Sequence, residues 1–150
     1  MIKAVYRHTN IIAHDWEKLS RFYQDVFGCT PVPPQRDQFG KWLEDGTRVP
    51  NAALKGEHLL LPGFRQGGPT LEIYSYSEMK EKPESASNRK GFGHIAFEVN
   101  DVELAQKEVV AAGGRPYGKV VTREVPGAGT ITFTYVTDPE DNLIELQAWS

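Results

Sequence analysis

The chain has 150 residues, 39% of them hydrophobic and 25% charged, the balance of an ordinary globular protein large enough for one domain or two small fused modules. A formal net charge of −3 argues against a nucleic-acid or anionic-membrane partner, and no apolar run approaches the ~20 residues that span a bilayer. A single cysteine, Cys29, excludes an intramolecular disulfide, and the opening MIKAVYRHTN lacks a signal-like apolar core, so the expected location is cytoplasmic.

The first element is a strand in RHTNIIAHD, where His8 stands seven residues before Asp15. A helix follows in WEKLSRFYQDVFG. Leu19, Phe22, Tyr23, Val26 and Phe27 recur at three- and four-residue spacing, Asp15 suits the N-cap and Gly28 the C-cap. Strand-like segments come next in QFGKWLE, AALKGEHLLLPG and PTLEIYSYS, separated by the turn signals LEDGTRVPN and PGFRQGG. The polar, proline-bearing stretch SEMKEKPESASNRKG reads as an exposed linker.

The plan then repeats. GHIAFEVND is a strand in which His94 stands seven residues before Asp101, and VELAQKEVVAAGG is a helix with Val102, Ala105, Val109 and Ala112 as its apolar stripe. GKVVTREVP, TITFTYVTD and NLIELQAW supply three further strands, with turns at PGAG and DPEDN. His8 aligns with His94, Asp15 with Asp101 and Gly28 with Gly114 at one offset of 86 residues. The expected organisation is a first module over 1–80, a linker over 81–90 and a second module over 91–150. Each module reads as strand, helix and three strands (βαβββ), an α+β chain.

Strand parity sorts the polar residues. Ile95, Phe97 and Val99 share the face suited to the helix, leaving His94 opposite; Leu71 and Ile73 leave Glu72, Tyr74 and Tyr76 opposite; Ile144 and Leu146 leave Glu145 opposite. Each half thus offers a histidine from its first strand and a glutamate from its last. If the sheets curve around a cleft, His8, Glu72, His94 and Glu145 converge in it. Carboxylates held partly out of water need a cation. Arg or Lys could supply it, and so could a divalent metal bound by two imidazoles and two carboxylates, a mixed set that favours Zn, Ni, Co, Mn or Fe(II) over calcium. A lone histidine or glutamate of this kind is ordinarily structural or solvated; recurrence of the pair at matching places favours a shared site.

The segments HTNIIAHDWEKLSRFYQDVFGC, GFGHIAFEVNDVE and DPEDNLIELQAW together resemble the vicinal oxygen chelate superfamily, whose members include glyoxalase I, methylmalonyl-CoA epimerase, extradiol dioxygenases and antibiotic-resistance proteins. The resemblance implies paired βαβββ modules forming a curved mixed sheet around a metal-binding cleft, with His8, Glu72, His94 and Glu145 as ligands. Glutamate at the second ligand position is similar to glyoxalase I, whereas the epimerases usually carry glutamine and the purely binding resistance proteins lack the ligands. The implied activity is a metal-dependent isomerase or lyase acting on a small substrate with vicinal oxygens through a metal-stabilised enediolate, with Glu145, or else Glu72, as catalytic base. The alternatives are an Fe(II) ring-cleaving dioxygenase using His8, His94 and Glu145, an epimerase, or a non-enzymatic binding protein.

The resemblance also implies a homodimer, and glutathione as a possible co-substrate. The chain departs from glyoxalase I in LEIYSYSEM after the second ligand and in Asp141, where glycine is common. His58, Tyr74 and Arg89 are candidate substrate contacts. Arg36 and Arg65 are further candidates to neutralise an anionic substrate, and Trp42 and Tyr76 to wall the cleft; His14 and Cys29 are expected to be structural.

Overall fold

The computed structural model describes residues 1–150, which divide into two compact units, Met1–Glu81 and Lys82–Ser150. In the first, β1 (His8–Ile12) leads through α1 (Trp16–Phe27) to β2 (Thr30–Phe39), α2 (Lys41–Thr47), β3 (Ala53–Leu60) and β4 (Thr70–Tyr76). In the second, β5 (Ile95–Glu98) leads through α3 (Val102–Ala111) to β6 (Arg115–Pro116), β7 (Val121–Val125), β8 (Gly129–Thr137) and β9 (Leu143–Trp149). Each unit builds its own mixed sheet, in the order β1-β4-β3-β2 and β5-β9-β8-β6, with β7 also pairing β8. The α+β reading and the repeated plan are therefore both present.

Each helix begins where its cap dictates. The Asp15 carboxylate accepts from the Lys18 amide at 3.0 Å, and the Asp101 carboxylate accepts from the Leu104 amide at 2.9 Å. In each unit the helix carries the chain across the sheet, so the first strand lies parallel to the last, β1 against β4 and β5 against β9. Leu19, Phe22 and Tyr23 of α1 are buried with Leu59, Leu71 and Ile73 of the sheet. Val102 and Val109 of α3 are buried with Phe97, Val136, Ile144 and Leu146. The opposite face of each sheet carries the histidines and glutamates, as strand parity requires.

The aligned glycines serve different ends. Gly28 is the left-handed C-cap of α1, at φ 69° with open space around the position of a Cβ. In the second unit Gly113 takes the positive φ, 100°, and Gly114 is needed for room, since a Cβ there would lie 2.3 Å from the Thr137 carbonyl oxygen.

Two expected elements differ. QFGKWLE is strand only at Gln38 and Phe39, where β2 ends, and Lys41–Thr47 is a short helix begun at Gly40, whose φ of 106° turns the chain. Seven residues are too few for a helical period to declare itself in sequence. The strand instead runs back through Pro31, Pro33 and Pro34, tolerated because β2 is the sheet edge and irregular between Val32 and Arg36. The segment read as a linker, 81–90, is largely tied to the second unit. Lys82 Nζ donates to the Asp141 carbonyl and to Asn142 Oδ1, both at 3.0 Å, and Ser85 Oγ donates to the Asp141 carbonyl at 2.5 Å. Asp141 itself takes φ 63°, the left-handed geometry that glycine would otherwise supply.

Candidate metal centre

In the first unit, register places Asn10 of β1 and His58 of β3 on either side of Glu72 of β4. His8 stands one same-face position back along β1, opposite Thr70. Both imidazoles reach the carboxylate: His58 Nε2 is 2.9 Å from Glu72 Oε1, and His8 Nε2 is 3.6 Å from Oε2. The two rings meet edge to face with centroids 5.5 Å apart. The donor atoms of His8, His58 and Glu72 all lie within 4.8 Å of one another.

The surroundings hold these groups in place. The Asn10 amide donates to Glu72 Oε2 at 2.9 Å, and His58 Nδ1 lies 2.9 Å from the Thr70 hydroxyl. The Tyr74 hydroxyl is 3.3 Å from His58 Nε2. Tyr74 is itself buried against Leu43, Ala52 and Leu54, so α2 packs on the same sheet face as the site while α1 covers the other. Gly56 sits in register between Arg36 and Tyr74, and a Cβ there would lie 2.4 Å from the tyrosine ring. Burial lowers the pKa of His58, and the charges of Arg36 and His8 push the same way against Glu72. Burial chiefly, helped by Glu72, raises that of Tyr74 and keeps the phenol protonated.

The second unit repeats the pair. His94, just before β5, places Nε2 2.9 Å from Glu145 Oε2 on β9. In register, Ala96 of β5 and Tyr135 of β8 flank Glu145. The His94 and Tyr135 rings meet edge to face at 5.0 Å. Burial, with the charge of Glu145, raises the tyrosine pKa.

These donors fit a divalent transition ion. The Glu72 side chain is only 14% exposed and its ion-pair partners are two imidazoles. A carboxylate so far from water calls for a cation or a proton, and imidazole nitrogen with carboxylate oxygen is the donor set that Zn, Fe(II), Co, Ni and Mn accept.

Of the residues expected at a site, His8, Glu72, His58 and Tyr74 come together in the first unit, and His94 pairs with Glu145 in the second. Arg89 does not join its unit's pair: its Nε donates to the Glu84 carbonyl at 3.0 Å, on an exposed turn. Trp42 is exposed on α2, and Arg65 is exposed in the turn after β3. His14, also exposed, pairs with Glu81 at 3.5 Å. Asn10, Thr70 and Tyr135 escaped the sequence reading, although parity with His8 and Glu72 puts the first two on the site face; Tyr135 lies directly opposite Glu145.

Comparison with known proteins agrees with this geometry. Residues 6–146 match the Glyoxalase/Bleomycin resistance protein/Dioxygenase superfamily. Lactoylglutathione lyase of Haemophilus influenzae is 28% identical over 142 residues, covering 92% of this chain and 87% of that protein. A glyoxalase family protein of Bacillus cereus superposes with a TM-score of 0.82 at 15% identity, over 99% of this chain and 96% of that one. A fosfomycin resistance protein of Listeria monocytogenes, solved with Mn(II) and sulfate, gives 0.55 at 18% identity, over 100% of this chain and 95% of that one. With its repeated strand–helix plan and a histidine–glutamate pair in each unit, the chain belongs to the Glyoxalase/Bleomycin resistance protein/Dioxygenase superfamily.

Proposed function

We propose that the chain is a metal-dependent isomerase or lyase of the glyoxalase type, acting on a small substrate with two neighbouring oxygens, with His8, Glu72, His94 and Glu145 as metal ligands. The observation that carries this reading is the pair repeated in both units, His8 with Glu72 at 3.6 Å and His94 with Glu145 at 2.9 Å. The likeness to lactoylglutathione lyase supports it and makes a glutathione hemithioacetal the first substrate to test. A homodimeric state is part of the proposal.

When bound, a divalent ion supplies Lewis acidity toward the two substrate oxygens. Proton transfer falls to the chain. Glu145, 15% exposed and held against His94, is the proposed base that takes the proton from the carbon beside the substrate carbonyl and returns it to the neighbouring carbon. Glu72 is the second candidate; the Asn10 amide and His58 fix its orientation. Arg36, whose charge is felt at both His58 and Tyr74, brings positive charge to that sheet face and suits an anionic substrate.

The test is product formation from a 2-oxoaldehyde hemithioacetal by the metal-free chain reconstituted separately with Ni, Co, Zn, Mn and Fe(II). Turnover is expected with at least one ion, reversed by chelation and abolished by Glu145→Gln. No turnover with any ion or thiol would sink the isomerase–lyase reading.

A further inference from the structure

We infer that the sheet of the second unit carries a subsite for a flat, apolar group of the substrate, lined by Phe133, Ile131, Val121 and Trp149 beside the His94–Glu145 pair. The inference deepens the proposed function and rests on it for the two chelating oxygens. It adds the chemistry of what is attached to them, an aryl-sized hydrocarbon group.

The two units treat equivalent surface differently. In the first, Leu54 on β3 and Tyr74 and Tyr76 on β4 lie on the site face beyond His58 and Glu72, packed with Leu43 of α2 and with Val49. In the second, the same register positions beyond Tyr135 and Glu145 hold Ile131 on β8 and Gln147 and Trp149 on β9. Phe133 stands where the first unit has Gly56. The second unit has no counterpart of α2: β7 passes straight into β8 through residues 126–128, where the first unit inserts a helix between β2 and β3. Val121 is 43% exposed and Trp149 41%, and Phe133 and Ile131 are half-buried.

The open surface is continuous with the pair. Tyr135 lies directly opposite Glu145, Phe133 opposite Gln147 and Val121, and Ile131 opposite Trp149, so all share the face that bears Glu145. The one amide among them is turned aside, since Trp149 Nε1 donates to Gln147 Oε1 at 3.3 Å. The rings of His94 and Tyr135 meet edge to face at 5.0 Å and those of Tyr135 and Phe133 at 6.0 Å, a line of rings leading away from the glutamate. Same-face neighbours along a strand are roughly 6.5 Å apart. A ring bonded directly to the chelating atoms therefore reaches Phe133, and aromatic rings attract one another edge-on or offset. Apolar surface left open beside converging polar groups marks a binding face, and its continuity with the pair assigns it to the substrate. A substrate with only a methyl group there would leave the surface wet.

The test uses two hydroxamates, which present the same pair of neighbouring oxygens and differ only in carrying a phenyl or a methyl group. Calorimetry measures benzohydroxamate and acetohydroxamate binding to the full-length chain reconstituted with Zn(II), with circular dichroism and urea midpoints to establish that each variant is folded. The wild type should bind benzohydroxamate roughly tenfold more tightly or better, the gain expected from burying one side of a ring. Phe133→Ala should bring the ratio close to one while leaving acetohydroxamate affinity unchanged. Phe133→Leu, which keeps an apolar side chain, should retain most of the preference, and Val121→Ser, on an exposed strand, should reduce it in part. Equal affinities in the wild type, or a preference that survives Phe133→Ala, would overturn the subsite and leave the metal-dependent reading standing. Self-association of the wild type in sedimentation, lost in Phe133→Ala, would give this face to a second copy and overturn the subsite too. A chain that takes up no ion would overturn both readings.

Discussion

His58 and Tyr135 occupy equivalent places: each lies directly opposite its unit's site glutamate on the neighbouring antiparallel strand, His58 against Glu72 and Tyr135 against Glu145. One is a good ligand at neutral pH and the other, with its pKa raised by burial and by Glu145, is not. The two positions should therefore answer unequally to mutation. Tyr135→Phe, which keeps the ring, should change metal affinity far less than His58→Phe, for which a loss of roughly 10–100-fold is expected because His58 holds the Glu72 carboxylate. Competition with a colorimetric chelator measures both, and equal losses would deny the asymmetry.

Gly56→Ala tests the seat of Tyr74. The new Cβ would lie 1.9 Å from the Ile73 carbonyl oxygen, at a φ of 158° where L residues are already strained. Because the clash is with backbone, β3 must shift, and overpacking of this kind costs about 1–3 kcal/mol. Urea denaturation should show that loss. Co(II) affinity should fall with it, since the displaced tyrosine no longer supports His58.

The aligned glycines should separate under substitution by asparagine. Asparagine adopts left-handed geometry more readily than other residues with a side chain, and nothing stands within 4 Å of the Gly28 Cβ position, so Gly28→Asn should cost no more than roughly 1 kcal/mol. Gly114→Asn forces a Cβ to 2.3 Å from the Thr137 oxygen and 2.6 Å from Val109 Cγ1, and should cost about 2 kcal/mol or more. Similar midpoints for the two variants would contradict the assignment of one glycine to conformation and the other to space.

Burial pushes the Cys29 thiol from 9.0 to about 11. The folded chain therefore keeps its proton where the unfolded chain has lost it. The resulting stability is whole below pH 9 and falls as pH rises from 9 toward 11. Urea midpoints of the wild type should decline more steeply across that interval than those of Cys29→Ala. Iodoacetamide should label native protein slowly at pH 8 and denatured protein at an ordinary thiol rate.

Period and parity made much of the fold legible. The stripes of α1 and α3, the caps Asp15 and Asp101, and the alternation that puts Glu72 and Glu145 opposite Leu71 and Ile144 are short-range patterns, and the sequence displays them directly. The helix α2 was hidden because Lys41–Thr47 is too short to show a stripe. His58 was legible only as a residue of the correct parity. Its meeting with Glu72 depends on strand register, which is set by a turn, and the two modules differ in length there, so no constant offset links His58 to Tyr135. Asn10 and Thr70 became meaningful once β1 was seen to lie beside β4.

The parallel pairing of first and last strands has a consequence in time. β1 has β4 as its sole neighbour and β5 has β9, so the first strand made in each unit waits for the last. At a synthesis rate of roughly 5–20 residues per second that wait lasts seconds, whereas α1 can form in microseconds. His8 and Glu72 meet only when the sheet of their unit closes, and so do His94 and Glu145. A chain cut short before the last strand of a unit therefore lacks that unit's assembled pair, and formation of each pair marks the closing of its own sheet.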